Sequence, residues 1–165
     1  ANCCGCCGGQ QGTGQIVDGG MFGPLIAVGL KDITDGTSNL IVVGEHADFI
    51  RDAAGNRNVQ VSGTHGILMG SPNLTRISDC PGCMFERQFN LLTIRYSPNA
   101  PVINDHASWP GIGDNYGVNN PLNSAHPGGV QVLMGDDVVR FLSENVDMLT
   151  LRRVATRNDG NPAKL

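Results

Sequence analysis

Six cysteines in two groups are the residues of this chain whose types and spacing are best suited to chemistry. Their positions are Cys3, Cys4, Cys6, Cys7, Cys80 and Cys83. An even number of cysteines favours disulfides. If Cys80 and Cys83 each bond to the N-terminal group, each bond closes a loop of about 75 residues and contributes on the order of 4 kcal/mol in the chain-entropy account. These bonds would hold the N-terminal stretch in place, and the two remaining cysteines could pair with each other or with a neighbouring subunit.

Metal binding and free thiols are the alternatives for these cysteines. Cys4 and Cys7 share the C-x-x-C spacing of Cys80 and Cys83, and four thiolates can bind zinc or an iron–sulfur cluster. The N-terminal group, however, has surplus adjacent cysteines, and nothing else in the sequence indicates a reducing compartment. A thioredoxin-like role is disfavoured because no strand-then-helix pattern surrounds Cys80. Disulfides are therefore the prediction.

Oxygen-bearing side chains cluster between residues 31 and 39. Asp32 and Asp35, together with Thr37 and Asn39, could supply oxygen ligands to calcium. The same Asp-Gly-Thr-Ser-Asn sequence is typical of a turn in which side chains hydrogen-bond to the backbone. The turn is the favoured interpretation, with Asp32 and Asp35 as calcium candidates, and no other cofactor is predicted.

The remaining chemically competent residues do not form an enzyme signature. The histidines His46, His65, His106 and His126 are scattered without ligand spacing. The sequence has no G-x-S-x-G, P-loop or Rossmann glycine pattern. We therefore predict a protein that is not an enzyme. Trp109 could stack on a sugar, although a single loop tryptophan more often anchors packing.

Composition favours one β-rich domain and excludes several partner classes. Of the 165 residues, 40% are hydrophobic and only 16% are charged, while 23 are Gly and 9 are Pro, which favours turns over long helices. The net charge of -4 disfavours a basic face for nucleic acid. No apolar run approaches the roughly 20 residues that span a bilayer. The chain begins with Ala1 and not with Met, so we expect any export signal to lie upstream.

Short β-rich runs separated by turn residues predict the elements that must position these side chains. The predicted strands are residues 24–30, 40–44, 59–62, 65–69 and 84–96, and the predicted loops between them are residues 35–39, 54–56, 70–73 and 97–99. Residues 98–121 are predicted to form a long ordered loop. This spacing is typical of a jelly-roll-like β-sandwich. We expect a Cys/Gly-rich extended arm at residues 1–23 and a single, mainly β domain at residues 24–165.

The last part of the chain predicts a β-hairpin and one short helix. Residues 130–134 and 138–142 are β-rich and are joined by Gly-Asp-Asp, residues that tolerate tight hairpin turns. After the hairpin, apolar and long side chains recur with helical spacing between a capping aspartate and a Gly-containing stop. These residues are Asp147, Met148, Leu151, Arg152 and Ala155, followed by the stop at residues 158–160.

Two stretches of the sequence resemble a known family. Residues 121–129 (PLNSAHPGG), with the hairpin and residues 143–147 (SENVD) that follow, resemble the prepilin-type processing-associated H-X9-DG domain of the family called domain of unknown function 1559. Residues 31–39 (KDITDGTSN) and 43–45 (VGE) match a second stretch of that family in the same order, so the resemblance spans about residues 19–160. The motif residues in this chain are His126, Gly128, Gly129, Asp136 and Asp137, where Asp137 replaces the signature glycine.

The resemblance implies an exported surface protein of a type abundant in planctomycete-type bacteria. Full-length members begin with a prepilin-like signal and a hydrophobic helix, which are not present in this sequence. The departure favours either a processed chain or a member that assembles without packing pilin helices. We therefore expect an extracellular or cell-surface location.

His126 and Asp136 are predicted to be parts of the scaffold and not a shared site. They lie at opposite ends of the first strand of the hairpin, and about 3.3 Å per residue places them more than ~15 Å apart. We expect His126 to cap or hydrogen-bond a loop and Asp136 to shape the turn. Asp137 slightly disfavours a turn that needs a positive φ, although Asp tolerates one better than most residues.

These observations predict a structural subunit of a pilus-like fibre or surface assembly, with further copies of itself as partners. A β-sandwich can accept an extended segment of a neighbour as an added strand. The candidate segment comprises Gln15, Ile16, Val17, Asp18, Met21 and Phe22. The alternative is a secreted carbohydrate-binding module of jelly-roll type, with glycans as partners and Trp109 as the stacking residue.

Overall fold

The computed structural model describes residues 19–22, 27–59, 92–101, 112 and 119–165, and the statements below concern these residues. They form mainly strands with one short helix, as predicted. The elements are β1 (Ile41–Gly44), β2 (Phe49–Arg51), β3 (Arg57–Val59), β4 (Gly129–Met134), β5 (Val139–Ser143) and α1 (Met148–Val154), preceded by short 3-10 helices at Leu30–Asp32 and Thr37–Asn39. None of the helices described is long and apolar enough to cross a bilayer.

The strands form two small antiparallel sheets. One sheet has the order β1-β4-β5, and the other pairs β2 with β3. β4 and β5 form the predicted hairpin, in regular register from Gly129 opposite Ser143 to Leu133 opposite Val139. β1 lies on the other side of β4, with a bulge between Ile41 and Val43. The central strand of the larger sheet is therefore β4, which begins at Gly129, the second glycine of the motif pair.

The turn of the hairpin is a three-residue loop. Met134 N–H donates to Val138 O (2.9 Å), and Asp137 N–H donates to Met134 O (3.1 Å). Asp137 has φ 65°, as the last residue of such loops requires. The replacement of the signature glycine by Asp137 therefore leaves the left-handed conformation in place.

One face of the larger sheet carries the main hydrophobic core. Side chains alternate along β4, so that Val130, Val132 and Met134 are buried together with Leu142 of β5. Leu122 and the α1 residues Leu151 and Val154 complete this cluster. The sheet is thus covered on this face by the helix and by the segment that precedes β4.

Side-chain carboxylates bind the start of α1 and the segment after it. Asp147 caps the helix as predicted, because its Oδ2 accepts the N–H of Thr150 (2.8 Å). The helix ends at Val154, before the predicted stop at residues 158–160. That segment binds Asp35 instead: Asp159 N–H donates to Asp35 Oδ2 (2.8 Å) and Gly160 N–H donates to Asp35 Oδ1 (3.1 Å).

Two strand predictions are wrong within the described residues. In the run at 24–30, residues 27–29 are irregular and Leu30 begins a 3-10 helix. The Asp32 carboxylate accepts the N–H of Gly29 (2.8 Å), a local bond that competes with a strand. In the run at 84–96, residues 92–96 are not in a strand. The Thr93 carbonyl instead accepts the Asn119 side-chain amide (2.9 Å).

The remaining strand and turn predictions are confirmed in part. The strand at 40–44 and the turns at 35–39 and 54–56 are confirmed, whereas β2 was not predicted. The strand at 59–62 overlaps β3 only at Val59, and the strand at 65–69 lies outside the described residues. The division into an arm and a domain stays a prediction.

Candidate functional site

Glu45 joins the two stretches that carry the family resemblance. Its Oε2 accepts the N–H of Gln131 (2.9 Å), its own N–H donates to Gln131 O (3.0 Å), and its Oε1 lies 3.7 Å from His126 Nε2. Partial burial raises the pKa of Glu45, but the bonds from Gln131 and Ser124 and the nearby His126 outweigh it and lower the pKa below its ordinary value. The two stretches thus meet through an ionised carboxylate.

The segment before β4 binds closely along the end of β1. A Cβ at Gly44 would lie 2.5 Å from Leu122 Cδ2, so only glycine allows this approach. The buried Asn123 side chain accepts the N–H of Ala47 (2.7 Å) and donates to Phe49 O. The Asn123 side chain thus satisfies backbone groups between β1 and β2 that a neighbouring strand would otherwise bind.

Asn99 was predicted only as a loop residue, yet it is a central polar contact. It is buried and has φ 55°. Its Nδ2 donates to Gly129 O (3.3 Å) and Glu144 Oε2 (3.2 Å), and its Oδ1 accepts the N–H of Ser124 (2.9 Å). The Ser-Pro-Asn sequence signals the turn, but no local signal identifies these partners.

The glycine pair of the motif serves two different physical needs. Gly128 has φ 83°, a left-handed conformation, and a Cβ there would meet nothing within 4 Å. A Cβ at Gly129 would overlap the backbone oxygen of Leu142 and lie 2.7 Å from Phe141 Cζ. Gly128 therefore permits the turn into β4, and Gly129 permits the close approach of β5.

His126 and Asp136 lie at opposite ends of the hairpin, with different partners. His126 N–H donates to Ser124 Oγ (3.0 Å) beside Glu45. Asp136 Oδ1 accepts the N–H of Val138 (3.3 Å), and its Oδ2 lies 3.8 Å from Arg140 Nη2. The scaffold roles of the two residues stay a prediction.

The carboxylates of both calcium candidates accept hydrogen bonds from backbone N–H groups. Both oxygens of Asp35 accept backbone N–H groups of the C-terminal segment, and Asp35 O accepts Asn39 Nδ2 (2.8 Å). Asp32 Oδ2 accepts the N–H of Gly29. In the part of the chain that the structure describes, no three His, Cys, Asp or Glu side chains are grouped to hold a metal.

Comparison with known proteins identifies the family. The sequence model described as "Protein of unknown function (DUF1559)" matches residues 6–149. The chain belongs to this family. The match includes both stretches that meet at Glu45, and the resemblance seen in the sequence is confirmed. Searches of curated proteins and of solved structures gave no match.

A shallow cleft lies beside the motif loop of this DUF1559 chain. It has a volume of about 630 Å³ and lies between the β2–β3 turn, residues 97–101 and residues 125–128. Arg51 and Arg57 line it, each within 5.5 Å of the Phe49 ring centre. The Asp52 carboxylate in its wall accepts the N–H groups of Ala54 and Asn56. Opposite charges are thus mixed in this cleft, without a strong preference for one sign of ligand.

The face of the larger sheet that points away from the core carries several exposed apolar side chains, beside the polar residues Gln131 and Ser143. Val43, Leu133 and Val139 form a row across the three strands. Val43 is 52% exposed and Val139 is 61% exposed. Phe141, also on this face, is 50% exposed, although its ring lies over Gly129. Among the described residues, no helix covers this outer face as α1 covers the core face.

The outer edge of β5 carries backbone groups that point away from β4. Residues of an antiparallel pair alternate between bonded and non-bonded positions. Bonds from Met134 N–H to Val138 O and from Glu144 N–H to Gly128 O (both 2.9 Å) fix this alternation at each end. Arg140 and Leu142 therefore bond to β4. The N–H and C=O groups of Val139 and Phe141 face outward.

Several predicted site residues lie outside the described residues, namely the six cysteines, residues 15–18 and Trp109. Met21 and Phe22 of the predicted assembly segment are described, in a bend and in irregular structure respectively, and Phe22 is 56% exposed. The residues before them contact the C-terminal segment of the same chain. Gly19 O accepts the N–H of Arg157 (2.9 Å), and Gly20 O accepts Arg157 Nη1 (2.6 Å).

Proposed function

We propose that this protein is the structural subunit of an extracellular pilus-like fibre or surface assembly. In the proposal, the domain is a jelly-roll-like sandwich, and the segment from Gln15 to Phe22 joins it to a neighbouring copy. Residues 15–18 form the added strand, because Gly19 and Gly20 bond to Arg157 of their own chain. The observation that carries the proposal is the exposed apolar outer face of the larger sheet, together with the outward backbone groups of β5.

The outer face has the character of an interface. Contiguous exposed apolar side chains mark association surfaces more often than single exposed residues do. Val139 and Phe141 are alternate residues of one strand, so an added strand or sheet covers both at once. Full burial of a wholly exposed Val or Phe side chain contributes about 1.5–3 kcal/mol. Val139 and Phe141 are 61% and 50% exposed, so burial of the remaining surface contributes roughly half of that for each.

The edge supports strand addition in particular. An edge strand with unpaired N–H and C=O groups is a template for another chain, and soluble proteins often protect such edges with charges, Pro or bulges. β5 contains no Pro, and its five consecutive pairs with β4 have no bulge. Its one charged residue, Arg140, pairs with β4 opposite Val132, on the core face. A strand from a neighbour can therefore approach the edge without meeting a charge on the outer face.

The position of the arm is compatible with donation to another copy. Gly19 and Gly20 are bonded to Arg157, which fixes this point of the chain beside the C-terminal segment. Residues 15–18 directly precede Gly19 in the sequence. At about 3.3 Å per extended residue, these four residues span roughly 13 Å. The proposal therefore requires the acceptor edge of the neighbouring copy to lie close to Gly19.

Electron microscopy and sedimentation velocity of the purified full chain test the proposal. We expect fibres or large oligomers for the wild type and monomers for Ile16→Lys, because a lysine in the donated strand cannot be buried at the joint without a large desolvation cost. Leu30→Lys is the control, since Leu30 is 69% exposed and lies in a 3-10 helix outside the arm. A wild-type chain that remains monomeric, or an Ile16→Lys variant that assembles normally, contradicts the proposal.

A further inference from the structure

The larger sheet has two outer edges, and they differ in how well they can accept a strand. β1 forms one edge and β5 the other. The register of β1 with β4 shifts between Ile41 and Val43. Such a bulge interrupts the regular spacing of backbone groups that an added strand requires. β5 has no such shift in its pairing with β4.

The surroundings of the two strands strengthen this difference. The chain beyond β1 is engaged by the segment before β4: Asn123 N–H donates to Glu45 O (3.2 Å), and Ala47 N–H donates to Asn123 O (3.0 Å). Leu122 lies against Gly44. In the described residues, β5 pairs only with β4, and Val139, Phe141 and Ser143 are exposed. The edge of β5 is therefore the more accessible one.

We propose that the outer edge of β5 is the acceptor, and that residues 15–18 of a neighbouring copy occupy it as a fourth strand, on the side of β5 opposite β4. This inference rests on the proposed function. It adds the edge at which the subunits join and the face on which the side chains of the added strand lie. Val139 and Phe141 supply the backbone donors and acceptors, and the outer face supplies the apolar contact.

The sequence of the arm complements this edge. Side chains of a strand alternate between faces, so Val17 and Asp18 lie on opposite faces of the added strand. When Val17 extends the apolar outer face beside Val139, Asp18 lies on the face that carries Arg140. Arg140 contacts Asp136 at only 3.8 Å, and its side chain is 31% exposed. A second carboxylate can therefore approach the Arg140 guanidinium.

Residue-resolved hydrogen exchange of the full chain tests the location of the joint. Exchange is started on wild-type fibres and on monomeric Ile16→Lys protein, and the amides are then read by NMR after dissolution. We expect Val139 and Phe141 amides to exchange about 100-fold more slowly in fibres than in monomers, because only a neighbour's strand bonds to them. Arg140 and Leu142 amides bond to β4 and are protected in both states.

The outcomes separate this inference from the proposed function. Fibres in which Val139 and Phe141 amides exchange as fast as in monomers overturn the β5 acceptor but leave assembly intact. A wild-type chain that never assembles contradicts the proposed function itself. Protection of Val139 and Phe141 in assembled Ile16→Lys protein indicates pairing of β5 with β5 of a second copy, and overturns the inference.

A pair of surface substitutions provides a second test. Phe141→Lys places a charge on the outer face beside the edge, and we expect it to reduce fibre mass at least 10-fold with native circular dichroism retained. Leu149→Lys is the matched control, because Leu149 is 55% exposed but lies on α1, and we expect it to assemble as the wild type does. Normal assembly of folded Phe141→Lys protein overturns the proposed acceptor.

Discussion

The two faces of the larger sheet have the same strands but opposite surroundings. On the core face, Val130, Val132 and Leu142 are buried under Leu151 and other apolar residues. On the outer face, Val43, Val139 and Phe141 remain about half exposed or more, although they are equally apolar. Hydrophobicity alone therefore does not decide which side of a strand is buried. The elements that cover it decide, and the polar contacts of the motif hold those elements in place.

The difference assigns separate roles to residues that are adjacent in sequence. Leu142 packs under the helix, and Phe141 points to the opposite side. Glu45, Asn99 and the motif residue Gly129 connect the segment before β4 to the sheet. They support the covered face, whereas assembly is proposed to depend on the open one.

The strongest expected contrast is between Leu142→Ala and Phe141→Ala. Loss of the buried Leu142 side chain leaves a cavity, and we expect the free energy of unfolding to fall by about 3 kcal/mol. Phe141→Ala removes a half-exposed ring, and we expect a loss of less than about 1 kcal/mol. Urea unfolding under conditions in which both variants are monomeric measures both. Equal losses would show that the two faces do not differ as described.

The glycine pair offers a smaller contrast. Gly129→Ala pushes β5 away at Leu142 O, and we expect a loss of about 2 kcal/mol from overpacking. Gly128→Ala meets open space but must hold φ 83°, for which we expect about 1 kcal/mol. Thermal unfolding of both variants checks the order. Gly128→Asn serves as the control, since Asn tolerates left-handed backbone and should cost less than Ala.

Acid should weaken the polar contacts around the covered face in two steps. Burial lowers the pKa of His46 below its ordinary value of 6.5, an effect that a backbone hydrogen bond at Ala47 only partly offsets. His46 therefore binds a proton more readily in the unfolded chain than in the folded one. Its contribution to the free energy of unfolding is fully present above about pH 6.5 and is lost as the pH falls towards the lowered pKa. The lowered pKa of Glu45 adds a second loss below about pH 4.5, its ordinary value.

Unfolding free energies of monomeric protein between pH 8 and pH 3.5 check both steps. We expect His46→Gln to remove the first decline and Glu45→Gln to remove the second. The His46 Nε2 atom is buried and has no hydrogen-bond partner in the described part of the chain, so the neutral Gln serves as a polar replacement of similar size. A wild-type curve that is flat from pH 7 to pH 5 would contradict the first step.

The smallest expected effect concerns the turn between β4 and β5. Asp137 holds φ 65°, where glycine has no steric cost. We expect Asp137→Gly to stabilise the monomer by about 0.5 kcal/mol, a gain limited by the greater freedom of glycine in the unfolded chain. Differential scanning calorimetry measures the shift, with Asp137→Val as the unfavourable control. A lower melting temperature for Asp137→Gly than for the wild type would count against the assigned turn.

Local signals in the sequence were sufficient for the C-terminal hairpin, its turn and the cap of α1. The alternation of residues 130–134, the Gly-Asp-Asp turn and Asp147 all act within a few residues of one another. The pairing of β1 with β4 and the contacts of Asn99 and Asn123 join parts of the chain that are far apart in sequence. No periodicity specifies such partners.

The mistaken strand at residues 24–30 has a different, local origin. Its apolar run favours a strand, but the Asp32 carboxylate binds the N–H of Gly29 and closes a local turn. The outer face could not be predicted either, because Val139 and Phe141 fit a buried alternating pattern as well as an exposed one. Only the position of the helix distinguishes the two faces.

A cryo-electron microscopy structure of the native assembly would show directly whether β5 accepts a strand. We expect β5 to lie inside a sheet, with a strand from the arm of a neighbouring copy bonded to Val139 and Phe141 and the core face unchanged. Fibres in which the edge of β5 faces solvent, or in which subunits meet only through α1, would contradict it.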